Sequence, residues 1–375
     1  MTHIAPGFEA VSERLAAFTQ ADPSYSAQVC ALRHGRTLID LAMGPRLAVD
    51  SLIGVFSSSK GVAAMCTALL IESGDLDLDA PFARYWPAFA AADKAEVTVR
   101  TALSHRAGLP VIAGGFTSED LEEHDELAAR LAAARPLWVP GTSHGYHGIT
   151  IGIIISELIR RITGATFRDF YKERLQTPFG IDFHFGVDDK VLPRVVDTLP
   201  QLPRNEEEVR ILAAAGTEPF HLLNMVVNVD GFPPFAEQAN NPVIRRSGPA
   251  AIGGVGNARS LAHLYSHCLQ SADGPEPLAP KALGVMSQVH SSGTDLVLGI
   301  HNRFGIIFET SDARLDFGSP WAFGHDGGGG SIGFADPATG LAFGYTTGRM
   351  PIPGGADPRG LELARVIRNR IRSMR

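Results

Sequence analysis

The chain has 375 residues, of which 45% are hydrophobic and 19% charged, and a formal net charge of −7. That length is enough for one large domain or two intimate ones with a sizeable core, and the balance is globular rather than disordered. The acidic total, with no basic stripe before the C-terminal segment, excludes the profile of a nucleic-acid binder and leaves a small molecule as the expected partner.

The opening MTHIAPGFEAVSERLAAF lacks a basic stretch followed by a long apolar one, and no run reaches the length of a membrane span. The expectation is a cytoplasmic protein with no membrane partner. Cys30, Cys66 and Cys268 are few, odd in number and far apart, which fits buried reduced thiols better than a disulfide frame. Phe8, Val11, Leu15 and Phe18 recur at helical spacing. Next, SAQVCALRHGRTLIDLAMG at 26–44 sets two short apolar runs around His34-Gly35-Arg36, the form of a β-hairpin that needs a larger sheet to join.

FSSSKG at 56–61 opens the run VAAMCTALLIESG at 62–74, whose Ala, Met and Leu favour a helix ending at Gly74. A helix apolar on all sides belongs in a core. Ser57 and Lys60, three residues apart, share one face of its first turn. Two readings of the pair stand open: a helix cap beside a solvated cation, or a nucleophile beside its base.

From 57 to about 215 helical patterns dominate, at 101–108, 125–135, 149–164 and 205–216, the last with Asn205 and Glu208 in capping-box spacing and Gly216 as its stop. Acidic runs at 118–126 and 206–208 read as solvated helix faces and caps. The proline- and glycine-rich stretches at 191–204 and 230–254 read as long loops. Strand patterns return at 303–310, 329–336 and 341–348, the last two joined by Pro337-Ala338-Thr339-Gly340. A closing helix carries Leu361, Ala364, Ile367 and Ile371 on one face, with Arg365, Arg368, Arg370, Arg372 and Arg375 on positions expected to be solvated. The order predicts an α+β fold: one mostly antiparallel sheet from the two ends of the chain, packed by the terminal helices, with the helical middle inserted.

Two stretches carry further chemistry. WVPGTSHGYHG at 138–148 contains a GxSxG at 141–145, an HxxH formed by His144 and His147, and Tyr146 ahead of an apolar helix. No core strand leads into the GxSxG, as a nucleophile elbow requires, and the histidines lack a visible third metal ligand. FGHDGGGGSIGFADP at 323–337 sets four glycines at the entry to a strand, where a ligand carbonyl can approach bare backbone amides. It lacks a Walker lysine and a following helix, so phosphate cradling is disfavoured. His325 reads equally as a packing residue, a general acid or a substrate-orienting group.

In order, SxxK at 57–60, Tyr146 in a PGT context and the His325-Asp326-Gly327 strand edge resemble the serine β-lactamase and penicillin-binding-protein superfamily, most nearly the class C β-lactamase-like (family VIII) carboxylesterases. LDLDAPFARYWPAF at 76–89, VTVRTALSHRAGLP at 97–110 and 140–164 add to a resemblance running from about residue 8 to the C-terminus. It implies a β-lactamase-like fold: a discontinuous sheet domain, 1–75 with 245–375, a mainly helical inserted domain, 76–244, and an active site at the seam. It also implies Ser57 as the acylated nucleophile, Lys60 and Tyr146 as its base system, and the amides of Ser57 and Gly328 as the oxyanion hole. His325, Gly327 and His147 are implied to line the substrate; no metal and no cofactor are expected.

Two positions depart from the family pattern. The YxN or YxS motif is Tyr146-His147-Gly148, and the KTG lysine is His325, which removes the cation that holds a β-lactam or peptide carboxylate. Both point to the esterase branch. The expected activity is hydrolysis of short-chain or small-molecule esters through an acyl-enzyme on Ser57. The alternatives are acyl transfer or amide formation on the same scaffold, a weak β-lactamase or D-alanyl peptidase, and a non-catalytic binding scaffold. A homo-oligomer is left open.

Overall fold

Strands β1 (His3–Ile4), β2 (Ala27–Arg33) and β3 (Arg36–Met43) open the chain on either side of a helix, Glu9–Ala21. His34 and Gly35 adopt φ of 48° and 80°, the left-handed pair that a tight two-residue hairpin requires, and so fold β3 back on β2. A computed structural model of the chain describes residues 2–214, 222–227, 231–271 and 276–374. The hairpin finds its sheet at the far end of the sequence. Strands β7 (Ser291–Thr294), β8 (His301–Phe304), β9 (Glu309–Thr310), β10 (Phe323–Asp326), β11 (Ile332–Asp336) and β12 (Leu341–Thr347) follow one another as antiparallel neighbours. β12 pairs with β2, giving the order β1-β3-β2-β12-β11-β10-β9-β8-β7.

Both faces of this sheet are covered, so its central strands are buried along almost their whole length. On one face Phe8, Val11 and Leu15 of the first helix and Leu363, Ala364, Ile367 and Ile371 of the closing helix, Pro358–Ser373, meet Val29, Ala31, Phe334 and Phe343. The closing helix corrects one expectation: Arg368 is not solvated but buried, with its guanidinium on the Asp316 carbonyl and carboxylate. On the other face a helix, Ala258–Ser266, lies on β2, β11 and β12. A Cβ at Gly344 would stand 2.0 Å from the Ala258 carbonyl oxygen, so only glycine lets that helix seat. Overpacking of this kind typically costs about 1–3 kcal/mol or more. Gly344→Val is expected to lower the melting temperature by several degrees, measured by thermal unfolding; an unchanged midpoint would contradict the packing described.

The predicted apolar helix runs Ser58–Glu72 and is buried along most of its length. It packs against β10 on one side and against the helix Thr150–Thr163 on the other, so its first turn lies between the large sheet and the helical layer. Three very short strands, β4 (Ile53–Gly54), β5 (His184–Phe185) and β6 (Gly254–Gly256), form a second sheet that ties residues just before this helix to the middle of the chain.

Several elements differ from the sequence reading. The helix expected at 101–108 is one turn, Val99–Leu103, after which His105 takes φ of 62°. The stretch expected as a loop at 230–254 contains helical turns at Phe235–Asn240 and Pro242–Ser247. The strand expected at 303–310 is broken by Ile307 at φ 68°. The predicted stop at Gly216 lies outside the described residues. Cys30, Cys66 and Cys268 are all buried and free, and no helix among the described residues is long and apolar enough to cross a membrane.

Candidate active site

Ser57 sits at the mouth of the buried helix with φ −69° and ψ −11°, and its side chain makes no capping bond. The residue before it, Phe56, is held at φ 49°, a conformation that costs a non-glycine residue of order 1 kcal/mol. Phe56 is locked there by Phe235, 5.4 Å away between ring centroids, and by Gly329, where a Cβ would lie 2.7 Å from the ring. That turn delivers Ser57 Oγ between two partners. Lys60 Nζ lies 2.8 Å from Oγ and 3.1 Å from the Ala251 carbonyl oxygen, and the Tyr146 hydroxyl lies 2.7 Å from Oγ on the other side. The cap reading of Ser57 is therefore replaced by a three-residue contact.

Lys60 is fully buried. Burial disfavours its charged form and pulls its pKa down to about 7, against the opposing pull of Glu309 and Asp326. Enclosure moves the Tyr146 phenol the other way, well above its ordinary value, despite the hydrogen bond to Ser57. Near neutrality the triad thus holds an amine poised between charged and neutral, and a phenol that keeps its proton.

The glycine run packs directly on the residues that precede Ser57. A Cβ at Gly327 would stand 2.2 Å from the Val55 carbonyl oxygen. Ser331 Oγ donates to that same carbonyl at 2.7 Å, and Ser58 Oγ lies 2.9 Å from Ser331 Oγ. The Gly327–Gly330 turn is closed by the Gly330 amide donating to the Gly327 carbonyl and the Gly327 amide donating to Ser331. The Ser57 and Gly328 amides have no acceptor among the described residues.

The β-lactamase family matches residues 13–366, nearly the whole chain. The chain belongs to the β-lactamase family. Among curated proteins it is similar to Esterase/beta-lactamase LipL of Mycobacterium tuberculosis, at 33% identity over 320 residues, covering 81% of this chain and 71% of that one. Among solved structures it is similar to EstA from Arthrobacter nitroguajacolicus Rue61a, with a TM-score of 0.91, 36% identity and coverage of 100% and 99% of the two chains. A family VIII carboxylesterase superposes with a TM-score of 0.87, 31% identity and 98% coverage of each chain. The protein is a serine hydrolase of this β-lactamase-like fold.

Within this family the two departures in the sequence have local causes. A Cβ at Gly148 would lie 2.4 Å from Val226 Cγ1, so an apolar side chain from the helix Leu222–Val227 fills the place of the usual polar group. His325, at the position of the usual lysine, is fully buried. Its Nδ1 is 2.7 Å from the Asp326 carbonyl oxygen, which can only accept, so Nδ1 carries the proton and Nε2 is an acceptor with no hydrogen-bond partner among the described residues. Burial first, and then the charge of Lys60, push its pKa down to about 3, which makes it neutral at physiological pH. His325 does not present a cation to substrate.

His147, expected to line the substrate, has both ring nitrogens engaged by the backbone. Its Nε2 accepts from the Leu109 amide at 2.9 Å, its Nδ1 donates to the Gly145 carbonyl at 2.7 Å, and it is fully buried. It braces the tyrosine loop. His144 donates from Nε2 to Asn302, so the two histidines do not converge on a metal. Ser143 lies in irregular chain with no strand ahead of it, and its carbonyl accepts from Trp138 Nε1; the elbow geometry is absent at Gly141–Gly145.

Glu309, His325 and Asp326 bring ligand-type atoms within 4.8 Å of one another, yet Arg314 already grips both carboxyl groups, at 2.5 and 2.8 Å. Burial and the neighbouring Asp326 push the Glu309 carboxyl well up, whereas the Arg314 guanidinium holds Asp326 low against the effect of its burial. The Arg314 guanidinium is thus fully engaged by the two carboxyl groups. Sequence reasoning missed Glu309 and Arg314, which belong to no catalytic motif, and also Phe235 and Val226, which reach the site from the stretch expected as a loop and its approach.

Proposed function

We propose that the protein is a carboxylesterase that cleaves short, uncharged esters through an acyl-enzyme on Ser57. The observation that carries this reading is the placement of Ser57 Oγ 2.8 Å from a buried lysine amine and 2.7 Å from a phenol that keeps its proton. Neutral Lys60 accepts the Ser57 proton as Oγ forms a bond to the ester carbonyl carbon, and the carbonyl oxygen takes the negative charge towards the Ser57 and Gly328 amides. On collapse the carbon–oxygen bond to the alcohol breaks and the alkoxide takes a proton from Tyr146, which recovers it from the Lys60 ammonium. Water then adds to the acyl carbon with loss of a proton to Lys60, and the carboxylic acid leaves as Ser57 regains its own proton. Each fixed amide in such a hole is commonly worth about 3–4 kcal/mol in the transition state.

The preference for uncharged substrates follows from the surroundings. Neutral His325, the self-compensated Arg314 cluster and the apolar Val226 supply no free cation for a carboxylate. The names of the relatives, an esterase/β-lactamase and a family VIII carboxylesterase, support the ester reading. The test is a comparison of kcat/KM for p-nitrophenyl butyrate and for nitrocefin. An advantage of about 30- to 150-fold for the ester is expected, since losing one charged hydrogen-bonded pair removes about 2–3 kcal/mol; equal turnover would overturn the preference.

A pH profile follows with a definite sign. A lysine whose pKa is depressed is charged, and unable to accept a proton, below that value. With Lys60 at about 7, kcat for a short ester is expected to be low at pH 5.5, to rise through about 7 and to plateau above it. A profile flat from pH 5.5 to 8.5 would remove Lys60 as the base.

A further inference from the structure

The hairpin formed by β7 and β8 lies at the edge of the nine-stranded sheet, and its tip, Asp295–Ile300, closes on itself through the Asp295 amide donating to Ile300 and the Gly299 amide donating to Asp295. Asp295 is fully buried. Its Oδ1 accepts from the Val297 and Leu298 amides, both at 2.8 Å, which is ordinary turn chemistry. The same oxygen accepts a third bond, at 3.1 Å, from the amide of Tyr146. Oδ2 accepts from Asn302 Nδ2 at 2.9 Å, and Asn302 Oδ1 accepts from His144 Nε2 at 2.9 Å. The Leu296 amide donates to the His144 carbonyl at 3.0 Å. Phe304, on β8, lies nearly parallel to the Tyr146 ring, 6.1 Å between centroids and 11° between planes. One hairpin therefore holds the backbone leading into Tyr146 at two points and gives its ring a flat wall.

We propose that Asp295 is a positioning residue for the reaction: its buried carboxylate fixes the peptide of Tyr146 and thereby sets the phenol against Ser57 Oγ. This rests on the reading that Tyr146 takes part in proton transfer. A turn-forming aspartate needs only the amides that follow it; the additional bond to Tyr146, 149 positions away in sequence, serves the tyrosine loop. Misplacement of a catalytic group by about 1 Å can cost on the order of 100-fold in rate.

The experiment is a double-mutant cycle of Asp295→Ala and Tyr146→Phe, reading kcat and KM for p-nitrophenyl butyrate alongside thermal unfolding. Asp295→Ala is expected to lower kcat by about 30–100-fold with KM within about threefold. Asp295→Asn, which keeps an acceptor oxygen, is expected to recover to within about fivefold of wild type. In the Tyr146→Phe background Asp295→Ala is expected to cost less than about threefold more, because two residues acting through one hydroxyl are not additive. Asp336→Ala, removing a carboxylate equally buried but hydrogen-bonded, among the described residues, only to Ser319, Thr339 and Ala338, should lower the melting temperature and leave kcat within about twofold. If Asp295→Ala does not fold, Asn302→Ala enters the same cycle with an expected loss of about tenfold. Losses that multiply, or kcat within threefold of wild type in the Asp295 and Asn302 variants, overturn the inference alone. Full activity in Tyr146→Phe overturns the proton-transfer reading and this inference with it.

Discussion

Ser57→Ala is expected to lower kcat for an activated ester by about 10⁴–10⁶-fold, with a melting temperature within about 3 °C of wild type. The magnitude follows from deleting a nucleophile while leaving the binding pocket and oxyanion donors in place, which preserves only a small residual acceleration over water. The small stability change follows from the position of the side chain. Ser57 Oγ caps no helix and, among the described residues, bonds only to Lys60 and Tyr146, and the fixed φ of 49° at Phe56 is held by Phe235 and Gly329 rather than by the hydroxyl. Steady-state kinetics with the purified variant, free of wild-type carry-over, measure the first part and thermal unfolding the second. Activity within tenfold of wild type would require another nucleophile.

The second large effect is expected at Lys60. Lys60→Met should lower kcat by about 10³-fold or more while leaving the protein as stable as wild type or more so. Methionine has about the length of the lysine stem and fills the fully buried space. It also relieves the penalty of enclosing an amine, the same penalty that pulls the lysine pKa down to about 7. What is lost is a group able to take the Ser57 proton near neutral pH, at the cost of one bond to the Ala251 carbonyl. Lys60→Arg should not restore activity, because a guanidinium stays charged throughout the accessible range. A Lys60→Met enzyme that keeps more than a tenth of wild-type kcat would shift the role of base to Tyr146, whose raised pKa argues against it. Opposite movements of activity and stability mark functional strain rather than poor packing.

Local signals in the chain were sufficient where short-range chemistry decides structure. The apolar run after FSSSKG, the His34-Gly35 turn and the strands around Pro337–Gly340 are each determined by neighbours in sequence, and each folds as that chemistry predicts. β4, β5 and β6 are two or three residues long and exist only because the chain brings them together, so no periodicity announces them. The helix expected at 101–108 stops early because His105 turns into the left-handed region, where its Nδ1 accepts from the His147 amide, a bond between residues 42 apart. Tertiary bonding of that kind overrides helix propensity.

At the site, the residue types and spacing of Ser57, Lys60, Tyr146 and Gly328 could be read from motifs, and the fold brings Ser57, Lys60 and Tyr146 into contact. Their protonation could not, since it depends on burial, on Asp326, and on Glu309 and Arg314, which no motif marks. The same blindness to burial explains His147, which has the sequence position of a substrate contact and the hydrogen bonds of a brace. Asp295 left a faint trace, a Gly-Thr-Asp in a turn-like stretch at 293–295, but its partner Tyr146 is fixed only by the fold.

The central claim is that catalysis passes through a covalent bond to Ser57 Oγ. Intact-protein mass spectrometry after reaction with an alkyl fluorophosphonate, followed by peptide mapping, tests it most directly. The expected result is one adduct per chain, mapped to Ser57, with parallel loss of esterase activity and no labelling of Ser57→Ala. An adduct on Ser143, or unchanged labelling of Ser57→Ala, would contradict the account.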